Sequence, residues 1–295
     1  MSAVTNVDHA KHFCSCMPKP SPVDILMRKN RQTSDRAVFL TNVAWKAGDK
    51  IAISFLNGTS AQKKHVKNVA QTWLKYANLK FVWKTGPAAA LQSDVRITFN
   101  TDEGSWSYMG TQARSIPKNE ATMNFGWLPQ RPQPSDRGTI LHEFGHMLGL
   151  GHEHQNPNKG LTWRREVVIE ALSGEPNYWS LDSIESNVLS RYSANDSEIV
   201  ATNFDPDSIM LYFFPATWNA EGFETRENHK LSAKDKANIA AMYPHEDDKW
   251  EIDSSGSDSE IDMEEDSDDD LDDMQVGCFN QLTQMFKKVQ RAFLQ

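Results

Sequence analysis

His142-Glu-Phe-Gly-His-Met-Leu-Gly-Leu-Gly-His152 is the stretch on which the reading of this chain turns. His142 and His146 stand four positions apart, so on a helix both imidazoles leave one face about one turn apart and can reach a common ion. Tetrahedral geometry denies a third ligand to the same straight helix. Gly149, three residues after His146, suits the positive φ that ends a helix and turns the chain, so that His152 returns to the ion from outside it. Three neutral histidines at roughly 2.0–2.1 Å leave a fourth position for water, the arrangement of a catalytic rather than a structural zinc site. Glu143, beside the first ligand, is placed to take a proton from that water. Unrelated histidines would produce the whole pattern in on the order of one chain in 10⁵ of this length, so the metal reading is preferred to three ordinary helix histidines.

Around this stretch the pattern is that of a folded α+β domain over 37–245. The chain has 295 residues and is 39% hydrophobic, enough for a sizeable core. Lys50–Leu56, Leu79–Lys84 and Asp94–Asn100 read as strands, and Ala121–Trp127 as a short one. Ser60–Tyr76 carries Val66, Val69, Trp73 and Tyr76 at helical spacing. Ser135 or Asp136 caps the metal-site helix, which runs through Ile140 and Leu141 to about Leu148. The stretch 153–208 is mostly polar and carries no assigned element. A last helix near Ser232–Met242 is closed by Pro244. Strands first and helices interleaved later predict a mixed sheet. His65, His154, His229 and His245 have no ligand spacing and read as core or surface histidines.

The pattern His-Glu-x-x-His-x-x-Gly-x-x-His resembles the zinc signature of the metzincin metalloproteases. Asp207-Ser-Ile-Met-Leu-Tyr212, together with Glu153 after the third histidine, is similar to the astacin branch. The resemblance implies a metzincin-like fold, a twisted mixed sheet with an active-site helix and a C-terminal helix, and one catalytic Zn2+. It implies that Met210 floors the metal and that Tyr212 is a fifth ligand that swings away to hydrogen-bond the reaction intermediate. Glu153 in that family pairs with the new amino terminus after activation. The implied activity is zinc-dependent endopeptidase action on protein or peptide substrates, lying extended along an edge strand just before the zinc helix. Ala121–Trp127 stands in that position. Phe213, Phe214, Pro215 and Trp218 are open both as walls of the substrate pocket and as core. The alternative is a catalytically silent zinc-bound module that binds peptides or partners. The presence of every catalytic residue type disfavours it. Astacins are usually secreted and disulfide-bonded, whereas the cysteines here, Cys14, Cys16 and Cys278, all lie in the terminal arms.

Those arms read differently from the middle. Residues 1–36 form an irregular arm with Pro18, Pro20 and Pro22, and Cys14 or Cys16 could silence the metal as a thiolate ligand or be a plain surface thiol. The net charge of −9 comes from the acidic stretch 246–275, with 16 Asp/Glu against one Lys; such a run is expected to be disordered. In 276–295, Phe279, Leu282, Phe286, Val289 and Phe293 form one stripe beside Lys287, Lys288 and Arg291. This short basic amphipathic helix is open to docking on its own domain, to a partner or to a membrane surface. No basic face argues for nucleic acid, and no apolar run of 18 residues is available to span a bilayer. No signal peptide is visible, which predicts a cytoplasmic location or leaderless secretion.

Overall fold

A computed structural model describes residues 39–158, 160–174, 178–193, 199–200 and 203–245. The arm 1–36 with its cysteines, the acidic stretch 246–275 and the amphipathic run 276–295 lie outside these residues. Inside them, the sheet is largely buried on both faces, and every residue of 95–98, 105–107 and 123–125 is buried. Ile51 and Ile53 of β2 (Lys50–Phe55) are fully buried, and Ile53 and Phe55 lie in register with Val95 and Ile97 of β4 (Val95–Thr98). The strand order is β3-β2-β4-β6-β5, with β3 at Lys80–Trp83, β5 at Ser105–Ser107 and β6 at Met123–Phe125. The first four strands run parallel and β5 runs antiparallel to β6. A two-residue β1 (Phe39–Leu40) pairs separately with β7 (Ile199–Val200).

Helix α1 (Ser60–Leu74) makes the crossover from β2 to β3. Thr59 and Gln62 close a capping box at its start, satisfying backbone donors that a helix leaves open. Its buried face, Val66, Ala70 and Trp73, meets α2 (Arg137–Met147), and Trp73 Nε1 donates to Leu141 O at 3.1 Å. Phe144 of α2 packs against the rings of Phe81, Trp83 and Phe125, which seats the helix on the sheet. The end of α2 is buried too, and its last carbonyls are matched from elsewhere in the fold. Trp45 Nε1 donates to Met147 O at 2.7 Å, and the Tyr243 hydroxyl donates to Leu148 O at 2.7 Å. Tyr243 follows α5 (Ala233–Met242), so the last helix is tied to the metal-site helix.

Two expectations need correction. The sequence reading puts Ala121–Trp127 at the sheet edge. Its central part is β6, which is paired on both sides, and the outer strand is β5. The stretch 153–208, given no element, contains α3 (Arg165–Ser173), α4 (Leu181–Ile184) and a π-helix over Glu185–Leu189. These short helices bury only a few residues each: Val168 and Leu172, Ile184, Asn187 and Val188. Such sparse apolar signals are below what periodicity detects. With Leu161, Leu211, Tyr212, Phe214 and Trp218 their apolar residues make a second cluster, distinct from the one around the sheet. Among the described residues no helix is long and apolar enough to cross a membrane.

Candidate metal centre

The three histidines are all buried and lie together. His142 and His146 project from α2, and their Nε2 atoms are 3.0 Å apart. Gly149 takes φ of 96°, and the chain closes α2 as a Schellman turn: Gly149 N donates to His146 O at 2.8 Å and Leu150 N to Gly145 O at 2.9 Å. That reversal returns His152 to the other two, and candidate ligand atoms of all three lie within 4.8 Å of one another.

Every ring has its second nitrogen engaged by an oxygen. His142 Nδ1 donates to Ile209 O at 2.7 Å, His146 Nδ1 to Leu150 O at 2.7 Å, and His152 Nδ1 to Gln155 Oε1 at 3.3 Å. An oxygen acceptor at Nδ1 puts the proton there and leaves the Nε2 lone pair for a metal. Burial lowers the pKa of His142 to about 4 and those of His146 and His152 well below the ordinary value, so all three are neutral near pH 7. Neutral imidazoles with converging lone pairs are the donor set of a tetrahedral zinc site with one position left open.

Glu143 is fully buried and lines, with His142, Tyr212, Trp127, Thr139 and Phe213, a cleft of about 360 Å³. Of the four apolar residues left open between wall and core, Phe213 lines this cleft, whereas Phe214 and Trp218 belong to the second cluster. The Tyr212 ring is packed among imidazoles, 4.3 Å from His152 and 5.2 Å from His142 between centroids. Met210 is buried below α2 against Gly145.

The turn that carries Met210 is anchored by a carboxylate the sequence reading missed. Asp235 accepts from Ser208 Oγ and from Ile209 N, each at 2.7 Å, while its other bonds cap α5. Ile209 presents its own carbonyl to His142, so the α5 cap reaches the metal centre through one residue. Ser232-x-x-Asp235 is recognisable as a capping box, but nothing in its spacing discloses the second use. Burial pushes Asp235 up to about 6, against the pull of these hydrogen bonds.

Glu153 lies behind the site. Its Oε1 accepts from Asn156 Nδ2 at 2.9 Å and from Asp205 N at 2.8 Å. Burial raises it to about 8, with Asp205 and Asp235 adding to the rise. The amino-terminal partner implied for it lies outside the described residues. His154 is a core histidine, as one of its two readings had it. Its Nε2 donates to Asn187 O at 2.9 Å, and burial lowers its pKa to about 3. His65 is half-buried, His245 is exposed, and His229 lines the cleft.

Residues 40–243 match the family model for Astacin, a peptidase family. "Astacin-like metalloprotease toxin 4" of Loxosceles laeta is 34% identical over 94 residues, which is 28% of this chain and 67% of the toxin. A solved structure of myroilysin superposes with a TM-score of 0.66 at 37% identity, covering 70% of this chain and 98% of the other. A crystal structure of myroilysin gives 0.54 at 36% identity, covering 72% and 92%.

Proposed function

The chain belongs to the astacin family of zinc metalloendopeptidases, and on that footing we propose that His142, His146 and His152 hold one Zn2+ and that Glu143 is the general base of peptide-bond hydrolysis. The observation that carries this reading is the convergence of three neutral imidazoles whose Nδ1 protons are all committed to oxygens, beside a buried carboxylate in an open cleft. Zinc in such a site lowers the pKa of a coordinated water toward 7 and polarises the substrate carbonyl.

Glu143 takes the proton of the attacking water and passes it to the departing amine. Its burial keeps that transfer out of bulk solvent. Tyr212, packed against His142 and His152, supplies a phenol to the oxygen that becomes anionic. Met210 supports α2 from below at Gly145, and Gly149 makes the turn that delivers His152.

The substrate strand adds to β5 rather than to β6. In the β5–β6 ladder the hydrogen-bonded pairs include Gly104 with Gly126 and Tyr108 with Thr122. Antiparallel alternation then turns the main-chain N–H and C=O of Ser107 away from β6. Ser107 is fully buried, so an extended peptide that adds a strand along β5 must first displace what covers it.

Degradation of a denatured protein with and without a chelator, with mass spectrometry of the cut sites, tests the reading. Chelator-sensitive cleavage is expected. Glu143→Gln is expected to retain zinc and lose 10²–10⁴ in rate, roughly what general base catalysis contributes. His146→Ala is expected to lose the metal itself. No cleavage by the zinc-loaded chain would favour the silent peptide-binding module. Near-full activity of Glu143→Gln at normal zinc occupancy would remove Glu143 from its role.

A further inference from the structure

His152 differs from the other two histidines in how its ring is held. His142 and His146 donate to backbone carbonyls, whereas His152 donates to a side chain, Gln155. A glutamine that fixes a ligand must first be fixed itself, because a free one loses up to about 2 kcal/mol of rotamer entropy on ordering.

Gln155 is fixed by the π-helix. Over Glu185–Leu189 the helical ladder is one residue wider than in an α-helix, with Ser190 N donating to Glu185 O at 2.8 Å. Widening takes carbonyls out of the usual pattern. Three carbonyls here receive side chains from the segment after the third histidine. Gln155 Nε2 donates to Ser186 O at 2.8 Å and to Ser190 O at 2.9 Å, and His154 Nε2 donates to Asn187 O. Both protons of the Gln155 amide are thereby committed, so its Oε1 has to face the other way, toward His152 Nδ1. Tyr192 N donates to Gln155 O at 2.9 Å and closes the chain over it. His154, seated in the same π-helix, lies nearly parallel to His152 with ring centroids 4.9 Å apart.

We propose that Gln155 is a positioning residue for the metal, holding His152 with its proton on Nδ1 and Nε2 toward the ion, and that the π-helix 185–189 is the mount that orients it. The inference rests on the metal reading of the triad. It assigns to the region 178–193, far from the signature in sequence, a direct effect on metal affinity. Outer partners of metal-bound histidines typically change affinity by about 10–100-fold.

The test compares zinc dissociation constants of the full chain, by competition with a chromophoric chelator, for wild type, Gln155→Met and Gln62→Met. Gln62 is an equally buried glutamine whose amide donates to Leu128 O at 2.9 Å, away from the triad. Gln155→Met is expected to weaken zinc binding about 10–100-fold and to alter the visible bands of the Co2+-substituted protein. Gln62→Met is expected to lower thermal stability and leave zinc affinity unchanged. Equal zinc affinity in wild type and Gln155→Met would overturn the inference while leaving the triad intact. A wild-type chain that binds no zinc would overturn the metal reading and this inference with it. If Gln155→Met does not fold, long-range 1H–15N spectra of the wild-type metal-free chain decide, since they report each tautomer directly. Nδ1–H on His152 and Nε2–H on His154 support the mount, and Nε2–H on His152 overturns it.

Discussion

A Cβ placed on Gly145 would overlap Sδ of Met210 and stand 3.2 Å from its Cε. Gly145 directly precedes the second helical histidine, and Met210 sits on the turn whose Ile209 carbonyl holds His142. The bare helix position therefore lets the methionine turn rise close enough to reach the first ligand.

Gly145→Ala is expected to destabilise the chain by about 1–3 kcal/mol through overpacking, although alanine is the better helix former. Displacement of the turn is also expected to weaken zinc binding by moving Ile209 O off His142. A double-mutant cycle with Met210→Ala checks the cause. Gly145→Ala introduced beside Met210→Ala is expected to cost little or to stabilise. Additive effects would show that the two residues do not oppose one another.

Tyr212→Phe removes only the phenolic oxygen and leaves the ring packed among the histidines. Loss of one donor to a developing oxyanion costs about 10²–10³ in kcat. Zinc content and KM are expected to stay near wild type, read by metal analysis and steady-state kinetics. A tenfold rise in KM with kcat unchanged would assign Tyr212 to substrate binding instead.

Ser107→Pro tests the sheet edge. Alternation turns the N–H of the buried Ser107 away from β6, so proline there deletes no bond to β6, while an added substrate strand loses one donor. Thermal stability is read alongside to separate any packing cost. One hydrogen bond is worth about 1 kcal/mol net, so kcat/KM is expected to fall roughly 5- to 10-fold with zinc affinity unchanged. Unchanged kcat/KM on extended peptides would place the substrate elsewhere.

Glu153 makes a pH prediction. Its folded-state pKa, raised to about 8 by burial, lies above its unfolded value, so the folded chain binds the proton more tightly. Stability from this group is present at low pH and is lost as pH rises from about 4.5 toward 8, at up to about 1.4 kcal/mol per pH unit. Asp235, raised to about 6, acts in the same sense over a lower range. The buried histidines act oppositely, losing stability as pH falls below about 6.5. Glu153→Gln keeps the acceptor oxygen and removes the titration. Melting temperatures of the metal-free variant are expected to equal wild type near pH 4 and exceed it at pH 8. A constant difference across that range would refute the assignment.

The local features of this protein were legible in the order of its residues. Spacing alone set two histidines on one helix face, a glycine where the helix had to reverse, and a third histidine beyond it. The main strands β2, β3 and β4 and helices α1, α2 and α5 could be read from apolar spacing, the histidine pattern and end signals. Asp136, however, expected to cap α2, makes no side-chain cap bond and instead accepts from Gln133 N. Folding settled which strand is the edge, because the three residues Ser105–Ser107 are too short a run for alternation to be told from chance. Folding also made Asp235 steady the methionine turn, let Gly145 admit Met210, and set Gln155 and a π-helix to hold His152. Each of these is a contact between segments far apart in the chain or a side chain doing a second task. A local pattern records what a residue does for its own helix or strand, and it holds no trace of the distant carbonyl or sulfur that the folded chain brings against it.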